Sequence, residues 1–329
     1  MAQHTTVLLC VVLAAFVAFP LRAPAEPPTI SDLAGLSVTG PLTGTDKKLI
    51  SDYTTEWIKR LISAKKMSEV DAALKALLNG YRVHPSSVFY QLEYARAVAA
   101  GVPGAMTLTG DALHRAKEVR VAMVVASMNQ ITIEPALVLM LQHSNPGVRY
   151  WAAKGFRLTG RLLLIQGGDH AKTMLASLGR AGRKEASGPV LARILDALGP
   201  HPGVSGRWAV GLNAVLDNVW LARCKGLREG KREVVEAYRR ALVVLERLPN
   251  KLRLQLLADA MEAASKGFFE ATKAEKSEEA EALAEVLGTG KLRAILTKAN
   301  GETQPAILTA DEIDEVLCGL DAALQAMEV

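Results

Sequence analysis

Aromatic residues are scarce in this chain: six Phe, six Tyr and four Trp make 5% of 329 residues. β-Branched runs bounded by turn residues are scarce too, and no segment reads as a strand. These shortages turn the reading away from β-rich folds. Ala and Leu recur throughout, both strong helix formers, so the expected class is all-α. Cysteine is limited to Cys10, Cys224 and Cys318. The last two lie 94 positions apart, which suits neither a metal site nor a small disulfide framework. Two separately buried thiols are one reading; a bridge tying down the last helix in an oxidising compartment is the other.

Signatures of catalysis are missing as well. There is no His-Glu-x-x-His. Gly203-Val204-Ser205-Gly206 lacks the spacing of a nucleophile elbow. Gly288-Thr289-Gly290-Lys291 resembles the end of a phosphate loop, yet Leu292 stands where Ser or Thr is required and Glu285 where the first glycine belongs. His84, His114, His143, His170 and His201 show no ligand spacing, and three of them sit beside proline turns, where capping explains them. No cofactor and no metal are called for. Past residue 25 no stretch can cross a bilayer, because Val121 to Leu141 is interrupted by Asn129, Gln130, Glu134 and Pro135.

What is present begins with Val7 to Phe19, an apolar run of 13 residues ended by Pro20. Ala23-Pro24-Ala25 then supplies a small-x-small site before Glu26. A membrane span needs about 20 residues, so residues 1–25 read as a signal peptide cleaved after Ala25. An uncleaved N-terminal anchor is the alternative. The expected product is exported, periplasmic or secreted, with no membrane span in the mature chain. Loss of Arg22 lowers the formal charge from +5 to +4, and that charge is uneven. Residues 299–329 hold seven acids and no Lys or Arg, which leaves 26–298 at +11. The acidic end either packs on the basic body or shields a surface meant for an acidic partner.

Residues 26–44 are rich in Pro, Gly, Ser and Thr and read as a flexible leader. Helices follow almost without interruption through a single domain over 45–329. Its parts are an irregular helical stretch (45–130), a central core (131–203) and long helices with an acidic last helix (204–329). Asp46 to Ser63 places Ile50, Tyr53, Trp57 and Leu61 on one stripe. Ser68 with Asp71 reads as the capping box of a helix reaching about Leu78. Ser86 to Ala100 is next, ended by Gly101, and Gly101 to Gly110 reads as a loop. Asp111 to Met128, Ile133 to His143, Gly147 to Thr159, Ala171 to Leu178, Pro189 to Leu198 and Val204 to Leu227 follow. Lys231 to Leu248, Lys251 to Thr272, Ser277 to Val286 and Thr309 to Met327 complete the series. Helices joined by such short loops pack as antiparallel neighbours.

The stretch 143–160 reads HSNPGVRYWAAKGFRLTG. Asn145-Pro146 ends one helix and Pro146 opens the next, where its missing N–H costs nothing. Val148, Ala152 and Phe156 then share a face, while small residues at 152, 153 and 155 admit a neighbouring backbone. Leu139, Leu141, Asn145-Pro146, Val148-Arg149, Ala152-Ala153 and Gly155 resemble the second half of a HEAT repeat over about residues 134–160. Weaker echoes occur at His84-Pro85, Pro202-Gly203-Val204 and Gly188-Pro189-Val190. The resemblance implies an irregular α-solenoid of antiparallel helix pairs. It also implies that Pro146, Val148, Arg149, Ala152 and Ala153 are structural, with Arg149 bonding to neighbouring turns.

Tyr150, Lys154, Arg157 and Arg161 are spaced 4, 3 and 4, so they share a face if the helix reaches Arg161. In HEAT-like arrays such second helices line the concave surface. This basic, Tyr-bearing stripe is the candidate partner-binding site, for a protein or an acidic peptide. Basic residues elsewhere are dispersed over several helices, which argues against nucleic acid. The expectation is an exported, non-enzymatic HEAT-like scaffold for protein–protein interaction. A helical lyase or hydrolase assembled only in three dimensions is the alternative, and a structural helper of an envelope assembly is a third.

Overall fold

The computed structural model describes residues 27–107 and 110–228, with 263, 266 and 274 as isolated positions. The expected signal peptide (residues 1–25) and Cys318 lie outside the described residues, as do the four helices expected beyond residue 230 apart from those isolated positions. Ten α-helices occur among them and no strand. They are α1 (Ile30–Ala34), α2 (Gly44–Ser63), α3 (Met67–Tyr81), α4 (Val88–Ala105), α5 (Ala112–Ala126), α6 (Glu134–Leu141), α7 (Pro146–Gln166), α8 (Gly168–Lys184), α9 (Gly188–Leu198) and α10 (Gly206–Arg228). A 3₁₀ turn, Ile131–Ile133, leads into α6. The protein is all-α in its described part.

Residues 27–43 are not the flexible leader their composition suggests. Thr29 and Asp32 form a capping box that starts α1, and Leu33 and Leu42 are buried. The segment is further held by His84, whose Nε2 donates to the Leu33 carbonyl at 2.9 Å, and by Ser87, whose hydroxyl donates to the Val38 carbonyl at 3.1 Å. Two buried leucines and two satisfied carbonyls outweigh the local turn chemistry.

A second capping box, Thr43 with Asp46, starts α2. Ile50, Tyr53 and Leu61 are buried along it and Trp57 packs against the core. In α3 the expected Ser68 cap is displaced. The helix begins at Met67 with Lys66 at the N-cap, which makes no side-chain bond, and Glu69 reaches back to accept from the Lys65 N–H at 2.9 Å. The expected loop after Gly101 is helix instead: α4 runs on through Pro103 to Ala105. Gly101 marks a close approach, since a Cβ there would lie 2.5 Å from Ile58 Cδ1 of α2. Burial of Val102 and Ala105 in the last turn offsets the hydrogen bond lost at Pro103.

Three tyrosines converge on the end of α3. Tyr53, Tyr94 and Tyr90 donate to the carbonyls of Ala76, Leu77 and Gly80 at 3.1, 2.9 and 2.7 Å. Tyr81 donates to the Met128 carbonyl beyond α5. Burial pushes the Tyr90 and Tyr94 hydroxyls well up from the usual phenol range. Lys117 of α5, also buried, donates to the Ile62 carbonyl at the end of α2 at 2.7 Å.

Both α7 and α8 outrun the expected boundaries. The α7–α8 junction turns on Gly167 and Gly168, at φ +70° and +57°, a conformation costly for any other residue. Gly179 and Gly182, beyond the expected end at Leu178, lie inside α8. A Cβ at either would meet Val215 or Val219 of α10 at 2.9 or 2.7 Å, so they admit α10 rather than end the helix.

Each helix packs on its successor and on the helix two places along. Apart from α2 against α5, substantial helix–helix packing among the described residues is confined to these neighbours. One continuous apolar core runs between them.

Candidate functional site

The site is built on α7. Asn145 caps it, its side-chain oxygen accepting from the Gly147 N–H at 2.9 Å, and Pro146 occupies the first turn. Val148, Ala152, Ala153 and Phe156 are fully buried. Gly155 lets α7 lie close on α5 and α6, because a Cβ there would be 2.5 Å from Leu137 Cδ2 and 3.3 Å from Ala126 Cα.

Arg149 is a junction. Its Nε and Nη2 donate to the two carboxylate oxygens of Glu185 at 2.7 and 2.8 Å. Its Nη1 donates to the His143 and Ser144 carbonyls at 2.9 and 2.7 Å. It thereby joins the turn before α7 to the segment after α8. The Glu185 carboxylate is buried and also accepts from the Ser187 N–H at 2.8 Å.

The helix does reach Arg161, so Tyr150, Lys154, Arg157 and Arg161 share one helix. The structure divides them nonetheless. Tyr150 and Arg157 face α9: the Tyr150 hydroxyl accepts from Arg193 Nε at 3.0 Å, with the Arg193 guanidinium 5.2 Å over its ring. Arg157 donates to the Pro200 carbonyl at 2.9 Å and lies 3.6 Å from the buried Asp196 carboxylate. Both are thus committed to packing. Lys154 and Arg161 face outward, Lys154 sitting 4.2 Å over the Trp151 ring and Arg161 exposed.

Beside these two cations lies an apolar ridge that the sequence reading did not single out. Leu158, Leu162 and Ile165 are 46, 39 and 57% exposed, although they follow the 4 and 3 spacing of a buried stripe. Trp151, seven residues before Leu158, extends the same face. The signal was present: α7 carries apolar residues on two faces, and only one can face the core.

The histidines serve helix junctions. His143 accepts from the Asn145 N–H through Nδ1 at 3.1 Å and turns Nε2 to the Met106 carbonyl and to Glu118. His170 pairs with the buried Glu134. His201 is buried and donates from Nε2 to the Ala197 carbonyl at 2.9 Å. Burial, helped by the nearby Arg157 charge, lowers its pKa below the usual imidazole range. Among the described residues no three His, Cys, Asp or Glu stand together as a metal site, and no helix is long and apolar enough to cross a membrane.

Compared with known proteins, the chain matches no family model, and no curated protein matches it significantly.

Proposed function

We propose that this chain is an exported, non-enzymatic scaffold. It is an α-solenoid of stacked helix pairs, HEAT-like around residues 131–203, that holds a protein partner along the outer face of α7. Export is supported by the apolar run Val7 to Phe19 and the small-residue site at Ala23-Pro24-Ala25. The solenoid reading is supported by packing confined almost wholly to sequence neighbours, the pattern of a linear array. The HEAT resemblance is supported by the Asn145-Pro146 turn and the buried Val148, Ala152 and Ala153 on α7.

One observation carries the binding reading: the exposed ridge Leu158, Leu162 and Ile165, flanked by Lys154 and Arg161. Apolar residues at helical spacing with cations beside them suit an acidic amphipathic helix. The test is crosslinking in the exported fraction with native chain and with a Leu158→Asp/Leu162→Asp variant. Both positions are substantially exposed, so the variant's circular dichroism and melting temperature should match those of the native chain. Loss of a specific partner in the variant supports the reading. Capture of the same partners by both chains overturns it.

A further inference from the structure

A concave surface lies apart from the α7 ridge, and nothing in the scaffold reading uses it. It is a half-open cleft of about 330 Å³ between α6 and the last turns of α8. That volume is at the small end of ligand sites, which run from about 300 to 1,000 Å³. Its apolar part is Val138 and Leu141 of α6 with Ala181 of α8. Its rim carries Arg180 and Lys184, one turn apart on α8, with Gln142 and Ser177 as neutral polar neighbours.

The charges at the cleft are settled unequally. Arg149 and Glu185 also border it, but they satisfy each other through two hydrogen bonds, and the Ser187 N–H takes a further share of Glu185. His143 has both ring nitrogens engaged. Arg180 and Lys184 are different: both are exposed, and neither has an ion-pair partner among the described residues. Two like charges four residues apart on a helix repel each other, and an anion between them removes that cost. Among the described residues, the result is a partly apolar cleft with an unpaired positive edge and no free carboxylate to compete.

We propose that this cleft binds a carboxylate carried on a short aliphatic body. The chain or side chain lies against Val138, Leu141 and Ala181, and the carboxylate lies between Arg180 and Lys184. A free acyl chain and an aliphatic polypeptide C-terminus both present that chemistry. The inference does not depend on partner docking at α7, and the ridge variant above leaves this cleft intact.

Isothermal titration of the full chain tests it with octanoate and with N-acetyl-Leu-Val bearing a free carboxylate. Octanamide and inorganic phosphate serve as controls. The expected result is binding of at least one of the two carboxylates and of neither control. Octanoate alone identifies an acyl ligand; the dipeptide alone identifies a polypeptide end. Arg180→Glu/Lys184→Glu should weaken binding at least about tenfold, since it replaces two charge-assisted contacts with repulsion. Ala181→Leu, which fills the apolar part without touching a charge, should weaken it comparably. The proposal falls if neither carboxylate binds at roughly 10 mM. It falls equally if octanamide binds as well as octanoate, or if both variants bind as the native chain does.

Discussion

Arg149 donates four hydrogen bonds to three residues, and this sets what its removal does. Arg149→Ala leaves the Glu185 carboxylate buried without its cation. Breaking a buried pair from one side costs about 3 kcal/mol, more than the pair itself contributes. Chemical denaturation should show that loss, and adding Glu185→Gln to the variant should recover part of it. Thr159 gives the opposite case. Its hydroxyl is buried in α7 without a hydrogen-bond partner, so Thr159→Val should leave stability unchanged or raise it by about 1 kcal/mol. His201 supplies a pH dependence. Its pKa is lowered in the folded state, so the unfolded chain binds the proton more readily. The stability tied to it is present above the ordinary imidazole value of 6.5 and is lost as pH falls through the lower folded value. Denaturation midpoints measured across that range should decline, and a His201→Leu variant should decline less.

Among elements, the tyrosine cluster at the end of α3 makes a parallel case in base. Tyr90 and Tyr94 hold their protons more tightly when folded, so their contribution is intact below the ordinary value of 10.0 and lost above it. The share of tyrosinate absorbance that Tyr90→Phe and Tyr94→Phe remove should therefore rise together with loss of helix rather than ahead of it. Element boundaries also show what was legible beforehand. The Asn145-Pro146 turn was readable because its determinants are adjacent in the chain. Gly101 misled because a glycine that ends a helix and one that admits a neighbour look alike in sequence. Only Ile58 tells them apart here, as Val215 and Val219 do at Gly179 and Gly182, and these partners are distant in the chain. The α7 stripe divides for the same reason: Tyr150 and Arg157 bond to Arg193, Asp196 and Pro200, which no local pattern could assign.

For the molecule as a whole, neighbour-confined packing predicts uneven stability. Gly101→Val forces a side chain into Ile58, an overpacking worth about 1–3 kcal/mol. In a linear array that damage stays near α2 and α4. Hydrogen exchange should accelerate there while α7 to α9 keep their protection; uniform acceleration would instead mark a single cooperative unit. The all-α class was visible in composition alone, because it depends on averages that folding does not alter.

The same connectivity has a mechanical side. Tension applied across the described helices would load their interfaces in series, with few cross-links between remote elements to share the strain. The least tightly seated pair would yield first, and the rest would stretch like a spring before giving way in turn.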